Sequence, residues 1–417
     1  MQIRFHYMLL FVLILSGCAS RKRSATITPI AKEVVAIPDS TKNQHEKFEA
    51  KIDTVKTVYT IGLVLPLQLE NHFRNDTISD NAPLLIPEAI PALQFYEGAL
   101  AAKDSLANIP LAVKFRIFDC SGDSMDNVKL INSIDVRKCD AVILMTSSSL
   151  NTAIIKAAAK NTIPFIILQN SNTQILESNP NIWLSTPSNT SQIRLAATYL
   201  FKTYPTSQFI TVFREVRKEN DLATLFSNII DSLAGTINIC IKVNYLKGTG
   251  WSSLQSKLSK QKRNVLIIPT SDESYLSSII TKLDDVKNDY TFLLAGLPTW
   301  ENFEAIDPLK LQNYNTHFFN GLFIDSENAR NQKFRKAFVD TYHTDALDQA
   351  FEGFDLVSYL VTNFNANQKK YNHYISIPNF ESPQIGYDFL EMGTGSGKEN
   401  QSISILKYGD YKLIKVK

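Results

Sequence analysis

Two spacings of apolar residues alternate along this chain. Val58–Leu67 (VYTIGLVLPL) is a near-continuous apolar run rich in β-branched residues, the pattern of a strand buried on both faces. Ala92–Leu106 then carries Leu93, Tyr96, Ala99 and Leu100 at helical spacing. The same alternation predicts strand Leu111–Phe118, helix Met125–Ile134, strand Ala141–Met145, helix Asn151–Lys160 and strand Pro164–Leu168. It restarts with helix Ile193–Lys202, strand Phe209–Phe213, helix Asp221–Leu233 and strand Ile237–Tyr245. Helix Ser252–Ser259, strand Val265–Ile268, helix Glu273–Leu283 and strand Tyr290–Ala295 complete this second series. Two successive βαβ series predict an α/β protein with two lobes, each a parallel sheet flanked by helices. Late helices Gln332–Tyr342 and Ala350–Asn363 break the order, and strands Ile403–Lys407 and Tyr411–Val416 flank the turn pair Gly409-Asp410.

The N-terminus follows another pattern. Arg4 precedes the apolar run Met8–Leu15, which is far short of the ~20 residues a membrane-spanning helix needs. It reads as the core of a signal peptide over residues 1–17. Leu15-Ser16-Gly17-Cys18 resembles the bacterial lipoprotein box, in which the cysteine is acylated and becomes the mature N-terminus. The resemblance implies lipidation at Cys18. No Asp follows the cysteine and no acidic cluster marks surface export, so the expected place is the outer membrane, facing the periplasm. Residues 18–57 are polar and lack apolar periodicity, as a tether does. As a random coil that segment reaches roughly 35 Å.

Length and charge narrow the class. The chain has 417 residues with 43 Lys+Arg against 41 Asp+Glu, which argues against a basic nucleic-acid binder. Four cysteines are too few for a disulfide scaffold. Gly393–Lys398 (GTGSGK) echoes a phosphate loop, but Met392 and Glu399 stand where Gly and Ser/Thr are required. Asp119, Ser121 and Asp123 begin like a calcium loop, with Ser124 in place of the needed glycine. There is no nucleophile elbow and no His-Glu-x-x-His, so neither an enzyme, a cofactor nor a metal site is expected. Cys120 ends one parallel strand and Cys139 precedes the start of another, roughly 15 Å away or more. That is too far for a disulfide, and with Cys240 these predict three free, mostly buried thiols.

The serial order of segments resembles the type I periplasmic binding protein fold of branched-chain amino-acid receptors. IGLVLPL is similar to that family's first strand, LQFYEGALAAKDSLA to its first helix and AVILMTSSS to its strand and serine turn. WLSTPSNTSQIRLAA resembles the first crossover, and EGFDLVSYL the late helix. LLAGLPTWENF and GSGKEN resemble a Bacteroidetes lipoprotein branch. The resemblance implies lobe one from 58–185 plus 327–362 and lobe two from 186–326 plus 363–417. It places three crossings near Ser185, Ser326 and Asn365.

Ligands of open α/β sheets bind beyond the carboxyl ends of the strands. Ser147, Ser148 and Ser149 occupy that position before a helix, and in the resembling receptors this turn holds a ligand carboxylate. One of these serines serves simply as an N-cap. Gln169, Asn170 and Ser171 follow the next strand, where the family offers groups to a ligand ammonium; loop polarity explains them equally well. Arg214, Ser271 and Asp272 end strands of lobe two, without the Tyr-Gly clamp of amino-acid receptors. Trp300 reads either as a stacking platform or as a packing residue. The Pro-rich segment Asn71–Pro91 beside the cleft reads as a lid or a docking loop. Two functions are therefore expected: binding of a small, amino-acid-like polar solute, or interaction with an envelope protein, as a regulator of peptidoglycan synthesis that kept the fold.

Overall fold

The structure, a computed structural model, describes residues 57–69, 73–74, 77–78, 86–107, 111–120, 124–145, 151–169, 172–236, 239–246, 248–367 and 386–416. Cys18, the tether, Ser147–Ser149, Asn170 and Ser171 lie outside them.

β1 (Thr57–Leu65) begins the first lobe. A short hairpin, β2 (Phe73–Arg74) with β3 (Thr77–Ile78), and the 3-10 turn Pro87–Ala89 are described within the Pro-rich segment before α1 (Ile90–Ser105). β4 (Leu111–Asp119), α2 (Ser124–Ile131), α3 (Ile134–Arg137), β5 (Ala141–Leu144), α4 (Asn151–Ala158), β6 (Phe165–Ile167) and β7 (Ile182–Leu184) continue it. The second lobe runs through α5 (Asn189–Thr203), β8 (Gln208–Phe213), α6 (Arg217–Ala234), β9 (Ile241–Asn244), α7 (Trp251–Gln255) and β10 (Asn264–Ile268). It continues with α8 (Glu273–Asp284), β11 (Phe292–Gly296), α9 (Pro308–Asn313) and β12 (His317–Asn320). The chain then forms α10 (Ala329–Tyr342), α11 (Asp348–Asn367), β13 (Phe389–Glu391), β14 (Lys398–Asn400), β15 (Ser404–Gly409) and β16 (Lys412–Lys415).

These strands make two seven-stranded sheets, ordered β13-β14-β7-β6-β5-β1-β4 and β16-β15-β12-β11-β10-β8-β9. Pairing is parallel except at the tail, where β13/β14, β12/β15 and β15/β16 are antiparallel. The central strands β5, β6, β10 and β11 are buried at every position, as expected where helices cover both faces. This is the type I periplasmic binding protein architecture.

The sheet topology corrects the expected division of the tail. α11 packs along α1 in lobe one, with Phe364 stacked on Tyr59 at a ring separation of 4.5 Å. Two glycines permit that approach: a Cβ at Gly98 would lie 1.9 Å from the Ala350 carbonyl oxygen, and one at Gly353 2.1 Å from that of Phe95. β13 and β14 then return to the first sheet, Glu399 pairing with Leu184. Only β15 and β16 belong to the second. The third crossing therefore lies at Gln401–Ile403, not near Asn365. Lys398–Asn400 escapes a hydrophobic reading because it is polar, and its strand state comes from pairing with β7. The Gly-rich segment 393–397 is the turn of the β13–β14 hairpin, where Gly395 adopts φ 73°.

Candidate functional site

All three crossings join the carboxyl ends of parallel strands. β7 leaves at Ser185, β12 leaves at Gly321, and β14 leaves at Gln401 to start β15 opposite Asn320. The carboxyl edges of the two sheets thus meet at the crossings, and side chains at those edges are the ones that a bound molecule would meet.

The crossings are tied by buried polar groups. The Asn400 amide donates to the Ser185 carbonyl (3.0 Å), while its oxygen accepts from the backbone N–H groups of Asp388 and Ser402 (3.0 Å each). Glu399, with no exposed surface, accepts from the Ser188 N–H at 2.6 Å. A Cβ at Gly321 would come within 2.4 Å of the Pro187 ring, so the first two crossings touch and a side chain at 321 would have to displace the proline.

On the first lobe, Asp119 closes the turn after β1. Its carboxylate accepts from the N–H groups of Leu67 (3.0 Å), Gln68 (3.2 Å) and Leu69 (2.7 Å). Gln68 and Gln169 both adopt left-handed backbone, with φ 54° at each, and Gln169 is exposed after β6. Buried Glu352 on α11 accepts from the Ser185 hydroxyl at 3.4 Å. Burial pushes its carboxyl up to about 7, against the hydrogen bond from Ser185 and with help from Asp348 and Asp355.

On the second lobe, Arg214, Ser271, Asp272 and Trp300 are brought to one edge, though not as four free ligand groups. Arg214 Nε donates to Glu219 Oε2 (3.1 Å), Nη1 to Asp272 Oδ2 (2.6 Å) and Nη2 to Glu219 Oε1 and Thr270 Oγ1. Its guanidinium also lies 4.8 Å over the Tyr275 ring. Glu219, chiefly by its hydrogen bond, holds the guanidinium above even its ordinary range. Arg214 is thus a post that fixes Asp272, which also caps α8 through Tyr275 N–H at 2.9 Å. Two carboxylates against one cation leave this cluster with net negative charge.

Trp300 is 1 % exposed and donates from Nε1 to the Thr270 carbonyl at 2.8 Å. It therefore packs inside lobe two and offers no ring face to a ligand. Space for the indole comes from Gly296, where a Cβ would lie 2.4 Å from the ring. Ser271 is exposed, with its hydroxyl accepting from Thr299 at 3.4 Å. Glu301, beside Trp300, accepts from Asn320 at 3.4 Å. Burial raises its carboxyl to about 7, with a contribution from Asp348 of the other lobe.

Glu219, Glu301 and Glu352 were not among the residues expected at this edge. Glu352 carries a visible signal, a lone acid inside the apolar stretch Ala350–Gly353. Glu219 stands five residues after its partner Arg214 in a run of mixed charges that singles out no pair, and Glu301 meets Asn320 only through the fold.

Cys120, Cys139 and Cys240 are free and buried. Among the described residues no cluster fits a metal ion and no helix is long and apolar enough to cross a membrane.

The family described as "Periplasmic binding protein" matches residues 113–362. No curated protein matches significantly. A structure titled as a putative branched-chain amino acid ABC transporter from Rhodospirillum rubrum superposes at TM-score 0.62 and 10% identity, over 87% of this chain and 100% of that one. An ABC transporter substrate-binding protein from Desulfitobacterium hafniense gives 0.56 at 13% identity, over 86% and 100%. The C-domain of LpoA from Haemophilus influenzae, a regulator of PBP1A, gives 0.52 at 14% identity, over 86% and 100%. At these identities the likeness carries the fold alone.

Proposed function

The chain belongs to the periplasmic binding protein family, and from that membership we propose that it binds a small polar solute, amino-acid-like or peptide-like, between its lobes. The observation that supports this reading most is the meeting of both sheets' carboxyl edges at three short, hydrogen-bonded crossings. Such crossings permit hinge closure on a ligand.

The charge distribution favours a zwitterion. The acid-rich edge of lobe two, Asp272 with Glu219 around Arg214, suits an ammonium group. Ser147, Ser148 and Ser149, before the N-terminus of α4, suit a carboxylate. Gln169, Asn170, Ser171 and Ser271 complete the proposed contact set. A thermal-shift screen of amino acids and muropeptides tests the reading. A ligand at a hundred times its Kd stabilises by about 2.7 kcal/mol, which is readily seen in such a screen.

One observation favours a second reading, an envelope interaction protein such as a regulator of peptidoglycan synthesis. The Arg214 guanidinium is held by Glu219, Asp272 and Thr270 of its own lobe and Trp300 is buried, so lobe two offers few free groups to a solute. Failure of every compound in the screen would select this reading. In either case we place the chain at the outer membrane facing the periplasm, anchored through acylated Cys18. Labelling with a palmitate analogue is then expected in the native chain and absent in Cys18→Ser; equal labelling of both refutes the anchor.

A further inference from the structure

The carboxyl edge of lobe two is acidic, and the opposite edge of the same sheet is basic and concave. A cavity of about 540 Å³ opens there, lined by Tyr204, Ser207, Lys260, Lys262, Arg263 and Thr291 among others. That is within the roughly 300–1,000 Å³ range of small-molecule sites. Its walls are the starts of strands: Gln208 opens β8, Arg263 precedes β10 and Thr291 precedes β11. The site is therefore separate from the cleft.

The basic wall is built, not merely exposed. Buried Asn264 accepts from the Ser259 N–H (2.8 Å) and donates to the Ser259 carbonyl (2.9 Å), which closes the loop that carries the cations. The Ser259 hydroxyl accepts from the N–H groups of Gln261 (3.3 Å) and Lys262 (3.1 Å). Arg263 lies 4.9 Å over the Tyr204 ring and Lys260 5.7 Å over that of Tyr290. Among the described residues Lys260, Lys262 and Arg263 form no ion pair, and no acidic side chain lines the cavity. The carboxyl end of α5 contributes only about −0.5 charge at the rim, against three full positive charges. The neighbouring His317 imidazole is held below its ordinary range by burial first, and also by Lys407 and Arg263. Burial is the larger cause, and Arg263 adds positive potential on that side of the ring.

We propose that this cavity binds a phosphate ester on a hydroxylated body, such as a phosphorylated sugar or a glycerophosphate headgroup. Lys260, Lys262 and Arg263 meet the phosphate, and the hydroxyls of Thr203, Thr206, Ser207 and Thr291 meet the body. The charge of a phosphate and the neutral hydrogen-bonding partners around it match that lining.

Calorimetry of the purified chain with glycerol 3-phosphate, and sedimentation with phosphatidylcholine vesicles containing phosphatidylglycerol, test the site at low salt. Binding of the soluble ester assigns a free ligand, and binding of vesicles alone assigns a lipid headgroup. In either case Lys260→Gln with Lys262→Gln is expected to weaken binding at least tenfold. Lys260→Arg with Lys262→Arg should retain it. Both lysines are exposed, so the fold survives either change, and a thermal melt checks this. No binding of ester or vesicles, or equal binding by the Gln variant, overturns the proposal.

Discussion

Replacing Glu352 by Gln should stabilise the protein above neutral pH and leave it unchanged in acid. Glu352 is 4 % exposed on α11 and sits beneath the first crossing, where the Ser185 hydroxyl is its donor. Burial raises its carboxyl from an ordinary 4.5 to about 7, with Asp348 and Asp355 adding negative potential. The unfolded chain therefore releases this proton near 4.5 while the folded chain keeps it until about 7. Between those values the unfolded state binds fewer protons, so stability falls as pH rises through the window. At about 1.36 kcal/mol for each pH unit between the two values, the loss approaches 3 kcal/mol above pH 7. Glutamine keeps the shape and the acceptor for Ser185 but carries no charge. Urea unfolding followed by circular dichroism at pH 4.5, 6, 7 and 8 reads the difference. The variant should match the native chain at pH 4.5 and exceed it by up to about 3 kcal/mol at pH 8. A difference that stays constant across the series would refute the assignment of this slope to Glu352.

Three further outcomes follow from packing. Asn400→Ala removes three hydrogen bonds made by a buried side chain, and at roughly 1 kcal/mol for each bond should cost about 3 kcal/mol in urea unfolding; a loss under about 0.5 kcal/mol would contradict the role given to it. Gly353→Ala drives a methyl into the Phe95 carbonyl and should cost about 1–3 kcal/mol, read as a lowered Tm, whereas an unchanged Tm would mean that α1 and α11 can separate freely. Burial pushes the thiols of Cys120 and Cys240 up to about 12 and that of Cys139 up to about 11. At pH 8 a thiol reagent should therefore modify them slowly in the native chain and fully in urea, as resolved by peptide mass spectrometry; rapid native modification of all three would contradict their burial.

The sequence pattern exposed most of the architecture because the fold's central strands are buried on both faces. Asn264–Ile268 and Phe292–Gly296 could hardly be anything else in an alternating series. Ile182–Leu184 and His317–Asn320 were illegible for the opposite reason, being too short for a period to show. Lys398–Asn400 is polar because it holds crossings together, so its strand state and the third crossing both depend on tertiary pairing. The candidate site divides in the same way. Asp272 is marked by its place after a strand and before a helix. Glu219 is near Arg214 in the sequence, but the engagement of Arg214 also depends on Asp272 from a later strand end, which no local pattern records. Trp300 looks exposed among Pro298, Thr299 and Glu301, yet the missing side chain at Gly296 admits it to the core.

The central claim is that a small solute binds between the carboxyl edges of the two sheets. Calorimetry of the best stabilising compound from the screen, with the native chain and with Ser148→Ala/Ser149→Ala, tests it most directly. Hydrogen bonds to a charged group contribute about 1.5–3 kcal/mol each, and about 1.4 kcal/mol is tenfold in Kd. The double variant should therefore bind at least tenfold more weakly while keeping its fold, since losing an N-cap costs only about 1 kcal/mol. An unchanged Kd would place the ligand elsewhere and contradict the account.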